Sequence, residues 1–557
     1  MVSALEASSG APEDGPADLA IGGFSDQPPW LVVPDEMPWR IGIDERRRRT
    51  RAEVPSLLRH RRVPPGARVA VVGSRLGLAL AGWYVTERGG PSSRAGLSRR
   101  LRRAFEHLGP TYIKLGQILS SGTGIFPEEL VTEFRLLRDH VPAEPFEVVR
   151  QILAEELGGP IEDTFSELAE TPLAAASIAQ VHLARLRTGE EVVVKVQRPT
   201  VAALVRADLA AMSWMAPALV GRIPVAALAN PPALVELFAE TIVEELDFRL
   251  EAQNMLDVAH VLAVTHSRAL VVPRPHPELV TRRMLVMERL AGFAWDDVAG
   301  MRAAGIDTSE VVRAGMVAFM EGAMLFGVFH GDLHGGNLFV QPDGRVALLD
   351  YGITGRLEEP KRLAFLRLLL GGTVNDVRTQ VAALRDLGAL PRDTDIGQVI
   401  ADLGLDRPPI DPTQLTPEEL TGEIRDLTKA LLSYGARLPK ELMLFVKNLL
   451  FLDGAMATLA PDIDLFAEVT HLAEYFSRRY GERIAREVGI DPRRLEVDRG
   501  ALAASLGLPE GTEAVTYRDL QERRELIRRR MERARRAGGR RRGIHLPRHD
   551  RSPGGPA

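Results

Sequence analysis

The spacing of apolar residues changes several times along the chain, and each change predicts a different kind of element. From residue 97 to 157, apolar positions recur every three or four residues, which is typical of consecutive amphipathic helices. Residues 180–197 consist instead of two β-rich runs around a turn that contains glycine, and this pattern predicts a β-hairpin. A long helical pattern follows to about residue 260. The first half is therefore predicted to be helical with one inserted hairpin.

The second half repeats this change on a shorter scale. A helical pattern over residues 309–327 leads into a glycine-rich turn. Strands are then predicted at 338–340 and 345–349, joined by a turn, as a second hairpin. Residues 358 to about 485 are almost wholly helical in pattern. The pattern predicts an α+β chain in which two short hairpins interrupt long helical stretches.

Composition restricts the class of protein. The chain has 557 residues, 45% of them apolar, which is enough for a sizeable core in roughly two to four domains or one large lobed domain. It contains no cysteine, which excludes a disulfide framework and thiolate metal sites and fits a cytoplasmic protein. The net charge of −5 does not by itself indicate a nucleic-acid partner.

Two segments bear on targeting and on membranes. Residues 1–40 are acidic and rich in proline, so we expect disorder there and no signal peptide. No uninterrupted apolar run approaches the roughly 20 residues that a membrane-spanning helix needs. The nearest candidate, VAVVGSRLGLALAGWYV, contains Arg75. We interpret it as a helix on the protein or at a membrane surface.

The C-terminal segment is strongly basic. Residues 518–542 contain twelve arginines and four acidic residues, a net charge of +8, which predicts a basic amphipathic helix. Its thin apolar stripe consists of Leu520, Ile527, Met531 and Ala534. A solvated face and peripheral contact with anionic lipid at the inner face of the membrane are both open interpretations, and nucleic acid is the less favoured partner.

The stretch FHGDLHGGNLFV, residues 329–340, concentrates polar side chains in the glycine-rich turn. Asp332 and Asn337 are five positions apart, and a tight loop can direct both towards one point. The carboxylate can then orient or deprotonate a hydroxyl, and the amide oxygen can bind a hard cation. A simple polar turn is the more common interpretation of this spacing alone. His330 and His334 are expected to brace the loop by hydrogen bonds.

The second hairpin strengthens the catalytic interpretation. It begins at the loop and ends in Asp350, and a hairpin returns the chain to its origin. Asp350 is therefore expected near Asn337. Two oxygen ligands on either side of a gap are what Mg²⁺ bound to phosphates requires. The alternative is that Asp350 caps a turn.

A third group lies around the first hairpin. Lys195 ends the run VVVK, and a lysine on the inner face of a strand needs an ionic partner. Glu251, in the helical segment EELDFRLEAQN, is the candidate partner. Exposure to solvent is the alternative for both residues, and for Glu251 the local sequence favours it. The loop before the hairpin carries small side chains that permit close approach, at Ala174, Ala175, Ala176 and Ser177.

With these residues assembled, the chain from about residue 97 to 460 resembles the AarF/UbiB family of atypical protein-kinase-like proteins. The matching stretches are LGPTYIKLGQILSS for the KxGQ motif, AAASIAQVH for the alanine-rich nucleotide loop, VVVKVQRP for the β3 strand, ELDFRLEAQN for the ExD motif, MERLAG for the hinge, and HGDLHGGN and DYGITG for the catalytic and metal loops.

The resemblance implies a role for each of these residues. Asp332 takes the base-like role, Lys195 binds phosphate, and Glu251 is the partner of Lys195. Asn337 and Asp350 hold Mg²⁺. The nucleotide-binding residues are Ala174, Ala175, Ala176, Ser177, Lys195, Glu251, Met287, Glu288 and Leu290. The residues on the regulatory or substrate side are Lys114, Gly116, Gln117, Glu245 and Asp247.

The resemblance also implies a two-lobed kinase-like fold that binds ATP or ADP with Mg²⁺. We expect a small β-containing N-lobe with added KxGQ helices and a mostly helical C-lobe. The expected divisions are a disordered segment at 1–40, a basic and apolar helical lead-in at 41–96, the KxGQ helical extension at 97–165, the N-lobe at 166–290, the C-lobe at 291–485, and a basic helix with a disordered tail at 486–557.

The family connection also bears on activity. Its KxGQ helices lie where a protein substrate would dock, so peptide phosphorylation is not the expected reaction, and the alanine loop is associated with a preference for ADP. The family is linked to isoprenoid-quinone (ubiquinone) and lipid metabolism at membranes, as an ATPase or as a helper of a biosynthetic complex. Two other functions stay open: a small-molecule phosphotransferase of the aminoglycoside or choline kinase type, and a non-catalytic nucleotide-sensing scaffold.

Two features depart from the family pattern. After the KxGQ motif the family usually carries Arg and Asp, but this chain has Gly122 and Gly124 in those places. Contacts made by that Arg and Asp would be missing, so regulation through this segment is an open question. The chain also ends in an arginine-rich helix in place of the hydrophobic helices of many bacterial members, which favours peripheral over integral membrane contact.

Overall fold

The computed structural model describes most of the chain. The described residues are 37–59, 63–87, 93–120, 127–138, 142–219, 231–405, 430, 434–436, 439–506, 508–509, 511–527 and 529. The predictions for the N-terminal segment before residue 37, for Gly122 and Gly124, and for the tail beyond residue 529 concern residues outside these ranges.

Helices dominate these ranges. In chain order they are α1 Ile43–Leu57, α2 Arg68–Thr86, α3 Ser93–Leu108, α4 Pro110–Ser120, α5 Glu128–Arg135, α6 Phe146–Leu157, α7 Val201–Leu219, α8 Pro231–Glu244, α9 Phe248–Val264, α10 Val298–Ala303, α11 Thr308–Glu321, α12 Glu359–Thr373, α13 Val377–Asp386, α14 Ile396–Asp402, α15 Lys440–Leu459, α16 Leu465–Val488 and α17 Arg499–Ser505.

The strands are short and form three sheets. In chain order they are β1 Phe165–Leu168, β2 Ala174–Ala175, β3 Ala179–Leu186, β4 Glu191–Gln197, β5 Leu270–Val271, β6 Pro275–Val280, β7 Met284–Glu288, β8 Phe293–Ala294, β9 Val328–His330, β10 Leu338–Val340, β11 Val346–Leu348 and β12 Thr354–Arg356.

The largest sheet has the order β1-β3-β4-β7-β6, with β2 paired to β3, and all its pairs are antiparallel. Its central strand, β4, is buried from Val192 to Gln197. One face of the sheet packs on α6, where Val192, Val194 and Val196 share a core with Leu153. Because strand side chains alternate, Val193 and Lys195 face the opposite side, towards the second lobe.

The second lobe is mostly helical and contains two small sheets. One has the order β5-β11-β10-β8, and the other pairs β9 with β12. Aromatic side chains join α11, α12 and α15 beneath the glycine-rich turn. The ring of Phe445 lies 4.4 Å from that of Phe365 and 5.4 Å from that of Phe319, measured between centroids. Together the two lobes form the α+β architecture that the sequence predicts.

Most predicted elements are confirmed. The hairpins are β3–β4 and β10–β11, and the latter pairs Leu338 with Leu348. Two of the helices predicted over residues 97–157 meet at Gly109, which has a φ of +99° and is followed by Pro110 at the start of α4. Residues 517–527 are helical at the start of the basic tail. There Leu520 is 4% exposed and packs on Phe466, so this part of the predicted apolar stripe is buried in the protein.

By length and composition, two of the described helices are apolar enough to cross a membrane: α2 and α15, with 17% and 44% of their apolar windows buried. The sequence interpretation singled out α2 and overlooked α15. Lys447 interrupts the apolar run of α15, and its side chain is only 14% exposed because it pairs with Asp332 in the glycine-rich turn. This contact identifies α15 as a helix that packs on the glycine-rich turn.

Candidate active site

Lys195 lies on β4 and reaches two carboxylates across the cleft. Its Nζ is 2.6 Å from Oε1 of Glu251 and 3.3 Å from Oδ1 of Asp350. Lys195 is 7% exposed and Glu251 is 3% exposed, so the solvent-exposed alternative for these two residues is wrong. Burial disfavours the charged lysine, but the carboxylates of Asp350 and Glu251 outweigh it and raise the pKa of Lys195. Burial raises the pKa of Glu251 to about 7.

The start of α9 fixes the position of Glu251. Asp247 caps this helix by accepting from the backbone N–H of Arg249 at 3.2 Å, and it also pairs with the Arg249 side chain at 2.6 Å. Glu251 follows one turn later. One turn beyond it, Asn254 Nδ2 donates to the carbonyl of Tyr351 at 2.8 Å. One helix therefore holds the partner of Lys195 and the residue that follows Asp350.

The KxGQ helix, α4, enters the same cleft. Lys114 Nζ is 2.9 Å from Oε1 of Glu245, and both side chains are buried. Burial would lower the pKa of Lys114, but Glu245, Asp350 and Asp332 together raise it. Glu245 in turn lies against Gly352, since a Cβ there would sit 3.3 Å from its Cγ. The segments carrying Lys114, Glu245 and Gly352 thus meet beside Asp350.

The other two residues of the KxGQ motif, Gly116 and Gln117, also lie on α4. A side chain at Gly116 would collide with Leu137 and crowd Phe105, so the glycine permits the close packing of α3, α4 and α5. Gln117 is half-buried on the same helix. These surroundings explain the glycine by packing alone.

His330 holds the glycine-rich turn to the segment DYGITG that follows β11. Its Nε2–H donates to the carbonyl of Asp350 at 2.8 Å, and its Nδ1 accepts from the backbone N–H of Asp332 at 3.1 Å. Burial lowers the pKa of His330, which favours the neutral ring that this pair of bonds requires. His334 Nδ1 accepts from the N–H of Gly336 at 3.1 Å. Both histidines brace the turn, as expected.

Asn337 and Asp350 lie at the same end of the β10–β11 hairpin. The N–H of Leu349 donates to the carbonyl of Asn337 at 2.8 Å, which places Asp350 one residue further on. Asp350 has a φ of +57°, a left-handed conformation that is rare for a non-glycine residue and occurs at functional sites. Its carboxylate accepts from the N–H of Gly352 at 3.2 Å. This geometry is compatible both with Asp350 capping a turn and with Asp350 binding a metal ion.

These residues fit a magnesium ion. Nδ2 of Asn337 donates to the carbonyl of Asp332 at 3.2 Å, which leaves the amide oxygen of Asn337 for a cation. The side chain of Asp350, which carries the other candidate oxygen ligands, is 42% exposed. Within the described ranges, no group of three or more His, Asp or Glu side chains could hold a metal ion. A magnesium ion here would therefore depend on Asn337, Asp350, phosphate oxygens and water.

The alanine loop is fixed by a residue that the sequence interpretation missed. Ala174 and Ala175 pair with β3, and Ser177 is 4% exposed. Arg198 donates to the carbonyl of Ala176 at 3.0 Å and pairs with Glu144 at 2.8 Å. The signal was present in VQRP, where an arginine directly follows a buried strand.

The predicted hinge leaves the large sheet at β7. Met287 pairs with Val193 and Glu288 with Val192, so both lie beside the strand that carries Lys195. Met287 is buried and Leu290 is half-buried just beyond the strand. The chain then continues into β8, which pairs with β10 of the second lobe. This segment links the two lobes at the back of the cleft.

Two consecutive residues of α15 hold the glycine-rich turn in place, and the sequence interpretation missed both. Lys447 Nζ donates to Oδ1 of Asp332. Asn448 Nδ2 donates to the carbonyl of His330, and its Oδ1 accepts from the N–H of Leu333 at 3.0 Å. Burial would raise the pKa of Asp332, but Lys447 and Lys114 outweigh it and hold this pKa far below its usual range. A Lys-Asn pair inside the apolar run MLFVKNLLFL was the available signal.

The chain is similar to a known family. Residues 136–384 match the family model of the ABC1 atypical kinase-like domain. The uncharacterized protein Rv0647c of Mycobacterium tuberculosis is 36% identical over 437 residues, 75% of this chain and 88% of that protein. An uncharacterized aarF domain-containing protein kinase of Arabidopsis thaliana, At5g05200, is 32% identical over 394 residues, 66% of this chain and 73% of the relative.

A probable protein kinase UbiB of Vibrio parahaemolyticus is also 32% identical, over 375 residues that span 66% of this chain and 69% of that protein. The resemblance drawn from the motifs is thereby confirmed, and so is the two-lobed α+β fold. The chain belongs to the ABC1 atypical kinase-like family, in which relatives are named as UbiB and aarF domain-containing kinases.

Proposed function

We propose that this protein is a UbiB-like kinase or ATPase that binds ATP or ADP with Mg²⁺ between its two lobes. The observation that carries the proposal is the position of Lys195, which lies between Glu251 at 2.6 Å and Asp350 at 3.3 Å. A buried lysine held by a helix glutamate and directed at the metal-loop aspartate is the arrangement that positions nucleotide phosphates in kinases.

Each residue of the cleft then has a defined task. Lys195 binds the phosphates, and Ala174 to Ser177 cover them. Asn337 and Asp350 hold Mg²⁺, which neutralises phosphate charge when it is bound. Asp332 orients the attacking water or hydroxyl by accepting its hydrogen bond. The low pKa of Asp332 makes it a weak proton acceptor, which suits phosphoryl transfer because its loose transition state depends on positioning more than on deprotonation.

The KxGQ helix argues against a peptide substrate. Lys114 occupies the cleft beside Asp332 and Asp350 and is tied to Glu245 at 2.9 Å. A peptide would have to displace this buried ion pair to reach Asp332. Water or a small hydroxyl compound is the better candidate. A role in isoprenoid-quinone or lipid metabolism, with peripheral membrane contact, is the part of the proposal that rests on family membership.

The proposal is tested by the thermal stability of the protein with ADP and with ATP, each with and without Mg²⁺. A ligand at 100 times its dissociation constant adds about 2.7 kcal/mol to the free energy of unfolding, which is readily detected. We expect Mg²⁺-nucleotide to stabilise the wild type and Asp350→Asn to lose the Mg²⁺-dependent part.

The matched control is Asp343→Asn, because Asp343 lies in the exposed turn of the same hairpin and pairs with Arg345 at 2.6 Å. This control should behave like the wild type. An unchanged melting temperature with every nucleotide in the wild type would reject the proposed function in favour of a scaffold that binds no nucleotide. Rapid phosphorylation of a small hydroxyl compound would instead favour the small-molecule phosphotransferase.

A further inference from the structure

Helix α15 holds a lysine at a fixed point of the cleft. Lys447 Nζ donates to Oδ1 of Asp332, and the two side chains are 14% and 20% exposed. The next residue, Asn448, has no exposed surface and makes two hydrogen bonds to the backbone of the catalytic turn, at His330 and Leu333. The turn and the ammonium group are therefore held together as one rigid unit.

The three lysines of the cleft differ in what neutralises them. Lys195 is paired with Glu251 and with the metal-loop residue Asp350, and Lys114 is paired with Glu245. None of these three carboxylates acts on the nucleophile in the proposed function. Lys447 is paired instead with Asp332, the residue that must accept a hydrogen bond from the nucleophile. Its charge is thus shared with a group that changes partners during the proposed reaction.

The ammonium group of Lys447 has more N–H donors than its hydrogen bond to Asp332 uses. An ammonium carries three N–H donors, and within the described residues Asp332 is the partner that accepts from Lys447. The remaining donors lie next to the carboxylate that orients the nucleophile. In phosphoryl transfer, this is where the oxygens of the transferred group collect negative charge, and a fixed cation there stabilises the transition state.

We propose that Lys447 contacts the terminal phosphoryl group of a bound nucleoside triphosphate and stabilises it during transfer. This inference rests on the proposed function. In the step, the bond between the γ-phosphorus and the β,γ-bridging oxygen breaks, and its electron pair leaves with ADP. A new bond forms from the γ-phosphorus to the oxygen of water or of a hydroxyl, which Asp332 orients by accepting its hydrogen bond and whose proton is released to solvent.

The test compares ligands with and without the terminal group. Wild type, Lys447→Met and Lys447→Arg are each titrated with Mg²⁺-ADP and with a non-hydrolysable Mg²⁺-ATP analogue that has an imido bridge. We expect ADP affinity to be unchanged in both variants. The preference for the analogue over ADP should fall roughly tenfold in Lys447→Met, because a charge-assisted hydrogen bond is lost, and should be partly kept in Lys447→Arg.

Turnover gives the second readout. We expect kcat for Mg²⁺-ATP to fall on the order of ten- to a hundredfold in Lys447→Met. The matched control is Lys361→Met, which removes a lysine that pairs with Glu441 of the same helix at 3.2 Å, outside the cleft. It should leave both the ligand preference and kcat unchanged.

Each outcome decides the inference. An unchanged preference and kcat in Lys447→Met would overturn it, and a raised kcat would overturn it in favour of an inhibitory contact. A wild type that binds neither ligand rejects the proposed function and the inference with it. Retained ADP binding shows that a variant is folded. If Lys447→Met loses ADP binding, the comparison of the two ligands in Lys447→Arg decides instead.

Discussion

Lys195 and Lys447 enter the cleft from opposite lobes, and they are held in different ways. Lys195 is fixed by a strand that is buried on both faces and by a glutamate that pairs with it at 2.6 Å. Lys447 comes from a helix of the other lobe and is held by Asp332 itself. The first pair builds a permanent phosphate-binding position, whereas the second pair involves a reacting group. The difference suggests that one lysine serves binding and the other serves transfer.

The largest expected effect follows removal of the lysine on the strand. Lys195→Met leaves Glu251 buried and unpaired, so we expect about 3 kcal/mol less stability in urea unfolding. We also expect Mg²⁺-ADP affinity to fall by more than a hundredfold, because the cation at the phosphates is lost. Lys361→Met is again the control. Unchanged ADP affinity in Lys195→Met would show that this lysine does not bind phosphate.

The second-largest expected effect follows removal of Asn448, which holds the backbone of the glycine-rich turn. Asn448→Leu leaves the carbonyl of His330 and the N–H of Leu333 without their partner, at a site with no solvent exposure. We expect a loss of about 2 kcal/mol in the free energy of unfolding and a roughly tenfold lower kcat, with ADP affinity kept. Leu450→Ala, at a position of the same helix that is 50% exposed, is the control. Equal losses in both variants would contradict a specific role for Asn448.

The smallest expected effect is a pH dependence that distinguishes the Lys195–Glu251 pair from the Lys447–Asp332 pair. Glu251 has a pKa of about 7, so it is ionised above that pH and becomes protonated below it. We expect Mg²⁺-ADP affinity to fall by about fivefold between pH 7 and pH 6, because the ionised fraction of Glu251 falls by about that factor and a neutral Glu251 no longer holds Lys195 in position at the phosphates. Asp332 stays ionised throughout this range, since its pKa is held far below it.

The measurement is ADP affinity from pH 6 to pH 8.5 in the wild type and in Glu251→Gln. The variant should retain only the pH dependence of the nucleotide itself. The same decline in both proteins would assign the effect to the ligand and not to Glu251.

The sequence predicted the parts of this cleft that depend on local order. The hairpin pattern alone brought Asp350 to Asn337, and the period of the apolar residues identified both hairpins. The direction of Lys195 could not be read in this way. Its strand is buried on both faces, so its apolar residues do not alternate with polar ones.

Contacts between residues that are far apart in the sequence were the other part of the site that the sequence could not predict. Lys447 and Asp332 are separated by 115 positions, and no local pattern links them. Glu251 looked like a solvated helix residue because its partner Lys195 lies 56 positions away, on a strand. Gly116 matched a motif, but the neighbouring Leu137 that explains it lies on a different segment. Motif recognition found several of these residues without the physical reason for their positions.

The most direct test of the central claim is calorimetric titration of Mg²⁺-ADP into wild type, Lys195→Met and Asp350→Asn. If the cleft between the lobes binds the nucleotide, the wild type binds one equivalent, Lys195→Met loses affinity by more than a hundredfold, and Asp350→Asn loses the dependence on Mg²⁺. Equal affinity in all three proteins would place the nucleotide elsewhere and contradict the account.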